Sequence, residues 1–294
     1  MNFGIIDIGS NTVRLNVYSY ESNDINMIFG KKHVVGLVSY IQDSRLTDKG
    51  ITKLVNVLHS IKEIISHVTV DKTIAFATAS LRKINNTEQV LKKIEEETGF
   101  RIKIYDQELE ARLGFEGIMW TMPYKDGITV DIGGGSTEII RFKNREISQI
   151  VNYSEGSLSL FNRYVKGIIP TEKEIKNIQN DIKEELYKKE LNFESGIIIG
   201  IGGTIRAIGD LSKEAFSLDD NRHFTNKNLT SLYKSIIKGD EDLVKLMLKI
   251  APDRIHTITP GMVIFKFLCK RFGAEEIVVS SSGLREGVLL ENVF

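Results

Sequence analysis

The sequence predicts an α/β protein of two related domains flanking a cleft, and three observations carry that prediction. First, a strand–turn–strand pattern occurs twice. Gly4 to Val17 reads as an apolar strand ending in Asp7, a turn of Gly9, Ser10, Asn11 and Thr12, and a second alternating strand. Ile128 to Ile140 repeats it with Asp131 and the turn Gly133, Gly134, Gly135 and Ser136, and the two aspartates stand 124 residues apart. The spacing permits a hairpin in both copies, and the period is too long for a solenoid. Second, each copy continues into more strand, Asn26–Phe29 and Glu146–Val151, and then into alternating helices and strands. Third, Met122 to Gly127 interrupts a helix just before the second copy, which places the boundary near Thr121–Lys125 and the domains at 1–122 and 123–294. No low-complexity linker separates them, so the halves are expected to pack closely, with a cleft and a hinge.

The elements follow in order. Ile51, Leu54, Val55, Leu58, Ile61 and Ile65 fall at helical spacing behind a cap at Thr47 or Asp48. Thr73–Ala77 reads as a buried strand. Asn86, with Gln89 three residues on, resembles a capping arrangement and opens a helix through Val90, Leu91 and Ile94 that Gly99 ends. Arg101–Tyr105 is a short strand and Glu108–Trp120 a helix. In the second half, Thr171 and Glu174 after Pro170 mark a helix start, with a charged face running to about Lys189. Gly196–Ile201 is an apolar strand, and Gly202-Gly203 turns into a helix through Ile205 and Ile208. Segments 226–238 and 240–250 are helical, and Pro260 starts a helix through Phe267 and Leu268. Glu276–Ser280 is a strand. A closing helix covers Leu284–Val293 (about 284–294 as a domain element), assigned to the second domain and able to pack back on the first.

Composition narrows the function classes. The chain is 41% hydrophobic and 27% charged, the balance of a soluble globular protein, and no run of about 18 apolar residues marks a membrane span. The opening MNFGIIDIGSNT has no basic n-region and no small-residue cleavage site, so no signal peptide and a cytoplasmic location are expected. Lys and Arg number 39, as do Asp and Glu, which argues against nucleic acid as a partner. An anionic ligand would therefore rely on local cations and backbone N–H groups. Cys269 stands alone in an apolar helical pattern and is expected to be a buried core residue in a reducing compartment. His33, His59, His67, His223 and His256 show no metal-ligand spacing.

Both repeated turns suit phosphate. A turn of Gly, Ser, Thr and Asn after a strand can aim successive N–H groups at an anion, and three consecutive glycines let it approach with no Cβ in the way. One such turn could equally be a tight hairpin; two at equivalent places favour phosphate. Asp7 and Asp131 end their strands at the same point and suit a hydrated Mg²⁺, or each caps its own turn. Arg14 and Glu138 occupy equivalent positions. The arginine can fork a phosphate, the glutamate can orient water or hold metal, or the two can pair across domains. Arg82, after Ala77-Thr78-Ala79-Ser80, lies at a strand-to-helix turn where ligands gather in α/β folds, though a surface arginine fits as well. Gly202, Gly203, Thr204 and Arg206 form another strand–Gly-turn–helix start, which is neither a P-loop nor a dinucleotide fingerprint. Periodicity alone leaves Glu110 a solvated first-turn glutamate favoured by the helix dipole.

Together these motifs resemble the exopolyphosphatase / guanosine pentaphosphate phosphohydrolase family, within the superfamily of sugar kinases, Hsp70 and actin. The resemblance runs from Asp7-Ile-Gly-Ser-Asn-Thr through Ala77-Thr-Ala-Ser-Leu-Arg82, Glu110-Ala-Arg112, Asp131-Ile-Gly-Gly-Gly-Ser-Thr-Glu138 and Gly202-Gly-Thr-Ile-Arg206 to Gly283-Leu-Arg285-Glu-Gly287. It implies two ribonuclease-H-like α/β domains around a cleft. It implies that Glu110 is the base toward water, with Asp131 and Glu138 near the metal and the water. It also implies that Asp7, Asn11, Arg14, Arg82, Gly133, Gly134 and Ser136 are phosphate-loop positions, and that Gly202–Thr204 contacts a nucleoside or distal phosphate. Adding the neighbours Thr12 and Gly135 completes the expected phosphate set, and Asp7, Asp131 and Glu138 form the expected Mg²⁺ set. Many members have two consecutive glutamates before Ala-Arg, where this chain has Leu109 and Glu110. Long members carry an additional C-terminal helical region; this chain looks like the short form, suited to shorter polyphosphate or guanosine pentaphosphate. A homodimer follows from family habit alone. The rival functions are a phosphotransferase on the same fold and a nucleotide-binding sensor without catalysis.

Overall fold

The computed structural model describes residues 1–21, 24–189, 191 and 193–293. The chain divides into two compact units, Met1–Gly117 with Leu284–Phe294, and Ile118–Gly283.

The first unit opens with β1 (Asn2–Ile8), β2 (Thr12–Glu21) and β3 (Asp24–Val34), then a small hairpin of β4 (Ile41–Gln42) and β5 (Arg45–Leu46). Helix α1 (Asp48–Ser66), β6 (Lys72–Ala77), α2 (Ala79–Arg82), α3 (Thr87–Thr98), β7 (Ile102–Ile104) and α4 (Gln107–Thr121) follow. The main sheet has the order β3-β2-β1-β6-β7; β1, β2 and β3 are antiparallel, and β6 and β7 run parallel to β1. β1 is apolar except at Asn2 and Asp7 because alternate residues face two sides of the sheet and both sides are covered. Ile6 and Ile8 pack with Leu54, Leu58 and Ile61 of α1 and Val90 and Ile94 of α3. Phe3 and Ile5, on the opposite face, pack with Tyr105, Leu113, Val288 and Leu289. Asp7 shares the second face.

The second unit repeats the plan. Strands β8 (Gly127–Ile132), β9 (Thr137–Lys143) and β10 (Glu146–Tyr153) form a meander, followed by α5 (Ser157–Tyr164) and α6 (Glu172–Leu186). Then come β11 (Ile197–Ile201), α7 (Gly202–Phe216), β12 (His223–Thr225), α8 (Asn226–Ile237), α9 (Glu241–Ile250), α10 (Ile255–Phe272) and β13 (Glu276–Val279). Its sheet order is β10-β9-β8-β11-β13-β12, so five strands reproduce the first unit's order and directions, and β12 adds an antiparallel edge. Both units are therefore ribonuclease-H-like. The closing helix α11 (Leu284–Val293) belongs to the first unit; Phe294, the last residue of the expected 284–294 element, lies outside the described residues. The division of the chain falls inside α4, between Gly117 and Ile118.

Caps agree with expectation at Thr47, whose hydroxyl accepts from the Gly50 N–H (3.3 Å), and at Thr171 with Glu174, which form a reciprocal capping box. Two expectations need correction. Asn86 precedes α3 but does not cap it; its amide group is spent on both backbone groups of Leu46 (3.0 Å each), tying the β4–β5 hairpin to the helix. Pro260 does not start a helix. It lies inside α10, and Pro252 takes the first-turn place in a 3-10 turn, Pro252–Arg254, leading into it. Among the described residues no helix is long and apolar enough to cross a membrane.

Candidate functional site

In the first unit three parallel strands end side by side. Asp7 pairs with Phe76, Ile8 with Ala77, and Ala77 with Ile104. The segments that follow are the Gly9–Thr12 turn, Thr78–Arg82 and Tyr105–Glu110, so the topology gathers them at the carboxyl ends where α/β folds bind ligands. The Ser80 hydroxyl, fully buried, donates to the Ile8 carbonyl (2.9 Å) and pins the second segment to the first. The hairpin register places Asp7 opposite Arg14, and the turn closes with a Gly9 N–H to Thr12 carbonyl bond of 3.0 Å. Asn11 is buried. Burial pushes the Asp7 carboxyl above its usual range; the Arg285 and Arg14 guanidinium groups oppose that rise and Glu286 adds to it.

Glu110 lies in the first turn of α4. The Asp106 side chain accepts from the Leu109 N–H (2.8 Å), so Asp106 caps the helix and fixes its direction. The Glu110 carboxylate is 2.8 Å from Arg82 Nη1, and the two side chains are only 13% and 18% exposed. The same Nη1 donates to the Tyr105 carbonyl (2.7 Å), and the Tyr105 ring stacks on Phe76. Glu110 is therefore a held carboxylate at the strand ends, and the solvated first-turn glutamate is set aside. Arg82 Nη2 is buried without a hydrogen-bond partner among the described residues. A buried guanidinium nitrogen without an acceptor is costly, and it gives this arginine one donor to offer an incoming anion.

The second unit repeats the hairpin's register and its turn-closing bond. Asp131 stands opposite Glu138, as Asp7 does opposite Arg14, and the Gly133 N–H donates to the Ser136 carbonyl (2.9 Å). Ser136 and Glu138 are buried. Two carboxylates directly opposite on neighbouring strands repel unless a cation or donor intervenes. This oxygen donor set fits a hard cation such as Mg²⁺, which needs only one or two carboxylates and completes its shell with water. Among the described residues no three His, Cys, Asp or Glu side chains converge as a ready-made metal cage.

Asp131 also pairs with Ile201 of β11, which brings the Gly202–Thr204 turn alongside. Gly202 has φ of 93°, and a Cβ there would lie 2.9 Å from Asp131 Oδ1, so glycine is required for both reasons. Thr204 is buried, with its hydroxyl 3.3 Å from that of Ser157. Arg206, one turn along α7, donates to the Ser281 carbonyl (3.4 Å), past the end of β13.

A polar network ties the end of β10 to α5 and α6. Asp181 of α6 accepts from Tyr153 (2.5 Å), Tyr164 (2.6 Å) and Arg163 (2.9 Å), and Arg163 also pairs with Glu155. Burial works to raise the Asp181 carboxyl, but hydrogen bonds from Tyr153, Tyr164 and Arg163 outweigh it and hold it below the usual range. Its stabilising contribution is therefore complete above the ordinary carboxylate range and is lost as pH falls through the depressed folded value. Urea midpoints measured down the acid limb, below about pH 4, are expected to fall less steeply for Asp181→Asn than for the wild type. Parallel limbs would contradict this.

The sequence motif Arg285-Glu286-Gly287 carries no expected place in the site. The structure sets Arg285 near Asp7, and Glu286 accepts a 2.5 Å bond from the Tyr18 hydroxyl, whose second contact is the Asn16 amide (2.9 Å). Burial and the Glu286 carboxylate push the Tyr18 hydroxyl above its usual range, so it remains a donor. Asp7, Arg14, Asn16 and Tyr18 share one sheet face. The alternation of β2 was the available signal.

The profile of the Ppx/GppA phosphatase family matches residues 16–293. The chain is 27% identical over 315 residues to a bifunctional 3-dehydroquinate synthase/phosphatase of Fusobacterium nucleatum, covering 98% of this chain and 46% of that protein, so it spans about half of that relative. It is 24% identical over 304 residues to exopolyphosphatase 1 of Mycobacterium leprae, covering all of this chain and 90% of that one. The crystal structure of an Aquifex aeolicus member of the Ppx/GppA family superposes with a TM-score of 0.81 at 26% identity, covering 100% of this chain and 97% of the other.

Proposed function

Because the chain belongs to the Ppx/GppA phosphatase family, we propose that it is a phosphohydrolase releasing the terminal phosphate of inorganic polyphosphate by attack of water that Glu110 deprotonates. The observation that carries this reading is the Glu110–Arg82 pair, held 2.8 Å apart at the carboxyl ends of adjacent strands. A carboxylate in that place can take the proton of an attacking water. Arg82 orients it with Nη1 and offers Nη2 to a phosphate oxygen, which couples substrate binding to the position of the base.

In this reading Asn11, Thr12 and Arg14 of the first turn and Gly133, Gly134, Gly135 and Ser136 of the second bind phosphate oxygens. Gly202, Gly203, Thr204 and Arg206 bind a distal phosphate or a nucleoside. In the second unit Asp131 and Glu138 would hold Mg²⁺, as Asp7 would in the first, and the ion would supply positive charge against the negative charge that develops on the leaving phosphate. The protein's own part is positioning and electrostatic stabilisation, as phosphoryl transfer requires. The resemblance to an exopolyphosphatase supports polyphosphate as substrate. Guanosine pentaphosphate carries the same terminal anhydride and is the second candidate.

The test is orthophosphate release from short polyphosphate, long polyphosphate and guanosine pentaphosphate, each with and without Mg²⁺, and with ADP as an alternative acceptor. Mg²⁺-dependent release from polyphosphate without an acceptor is expected. Release that requires ADP, or none from any of the three, would overturn the reading.

A further inference from the structure

We infer that the backbone turn following the third strand of each meander is a positioning element that sets which way the phosphate turn faces, and that Ser157 is its key side chain in the second unit. The inference rests on the phosphate-binding reading of the two turns.

After β10 the chain returns and begins α5 against the glycine turn. The Ser157 N–H donates to the Gly133 carbonyl (2.9 Å), and the Leu158 and Ser159 N–H groups donate to the Gly134 carbonyl (3.0 and 2.8 Å). These belong to the first-turn N–H groups that a helix cannot satisfy internally. The Ser157 hydroxyl adds a second bond to the Gly133 carbonyl (3.1 Å). A carbonyl oxygen has two lone pairs, so Ser157 alone accounts for both. Gly156 lies so close that a Cβ there would meet the Gly133 oxygen at 2.4 Å and the Gly135 nitrogen at 2.7 Å. The Thr137 hydroxyl completes the brace by donating to the Glu155 carbonyl (2.9 Å).

The first unit does the same with different residues. After β3, the Val35 and Gly36 N–H groups donate to the Asn11 carbonyl (2.9 Å each), and the Val38 N–H donates to the Ser10 carbonyl (3.2 Å), where the chain enters a 3-10 turn at Leu37–Tyr40. The duplication therefore extends beyond the hairpins to the segment behind each of them.

The consequence follows from peptide geometry. In a trans peptide the C=O and the next N–H point in opposite directions. Drawing the Gly133 and Gly134 carbonyls toward α5 turns the N–H groups of Gly134 and Gly135 to the other side. Drawing in Ser10 and Asn11 does so for Asn11 and Thr12. Successive N–H groups on one side are what an anion requires. Glycines alone would leave these peptides free to flip; the brace removes that freedom before substrate arrives.

The test uses the full chain with Ser157→Ala, which deletes one donor to the Gly133 carbonyl, and Ser157→Thr, which keeps it. With tripolyphosphate, Ser157→Ala is expected to lower kcat/KM roughly tenfold, the effect of about one hydrogen bond, mostly through KM. Ser157→Thr is expected to recover most of that loss. Amide exchange at Gly134 and Gly135 should quicken in Ser157→Ala and not in Ser157→Thr. A merely structural role would reduce the folded fraction, lowering apparent kcat at constant KM, and that pattern would overturn the inference. So would wild-type kcat/KM with wild-type exchange in Ser157→Ala. A wild type that releases no phosphate would refute the hydrolase reading instead, and the exchange arm would still decide whether Ser157 holds the turn.

Discussion

Glu110→Gln is expected to lower kcat roughly a thousandfold, within the range that general-base catalysis contributes, while KM changes by no more than about threefold. Glutamine keeps the size of the side chain, and its amide oxygen can still accept from Arg82 Nη1, so the helix start and the arginine stay in place. What is lost is the ability to take a proton. Glu110→Ala is a poorer probe because it leaves the Arg82 guanidinium, which is 18% exposed, without its carboxylate partner, and removing one member of such a pair carries its own cost. Steady-state kinetics on polyphosphate, with thermal unfolding as a control, checks this. A Gln variant with more than half the wild-type turnover would remove Glu110 from its role.

Gly287→Ala is expected to be strongly destabilising. A Cβ at Gly287 would lie 1.8 Å from the Leu113 carbonyl oxygen and 2.6 Å from its carbon. Both are backbone atoms of α4, so no side chain can swing aside, and α11 must move off the helix. Overpacking of this kind costs about 3 kcal/mol or more, which at this size lowers the melting temperature by roughly 10 °C. Turnover should fall as well, because Leu113 lies one turn beyond Glu110 on α4, and α11 also carries Glu286 to Tyr18. Gly114→Ala is the control. It adds the same methyl to the same helix with nothing within 4 Å, and it should be neutral or slightly stabilising because alanine is the better helix former. Equal melting temperatures for the two variants would contradict the packing argument.

The hairpins were legible because their signal is local. An apolar run, an Asp and a turn of small residues repeat at one offset, and the observed register honours it, with Asp7 opposite Arg14 and Asp131 opposite Glu138. The capping box at Thr171 and Glu174 was legible for the same reason. What escaped depends on distant segments. Asn86 carries the composition of a cap, yet Leu46, 40 residues earlier, claims its side chain. Helix α5 is short and its first N–H groups are satisfied by a turn more than twenty residues back, so neither periodicity nor a polar cap announces it. Glu110 gave the clearest case. Its helix position was foreseen, but its burial and its Arg82 partner arise from the pairing of β6 with β7, which no spacing in the chain encodes.

The central claim is that water attacks the outermost phosphorus, and hydrolysis of polyphosphate in ¹⁸O-water tests it most directly. One solvent oxygen in each released orthophosphate is the expected result. Label left in the shortened chain, or phosphate passed unlabelled to an acceptor, would contradict it.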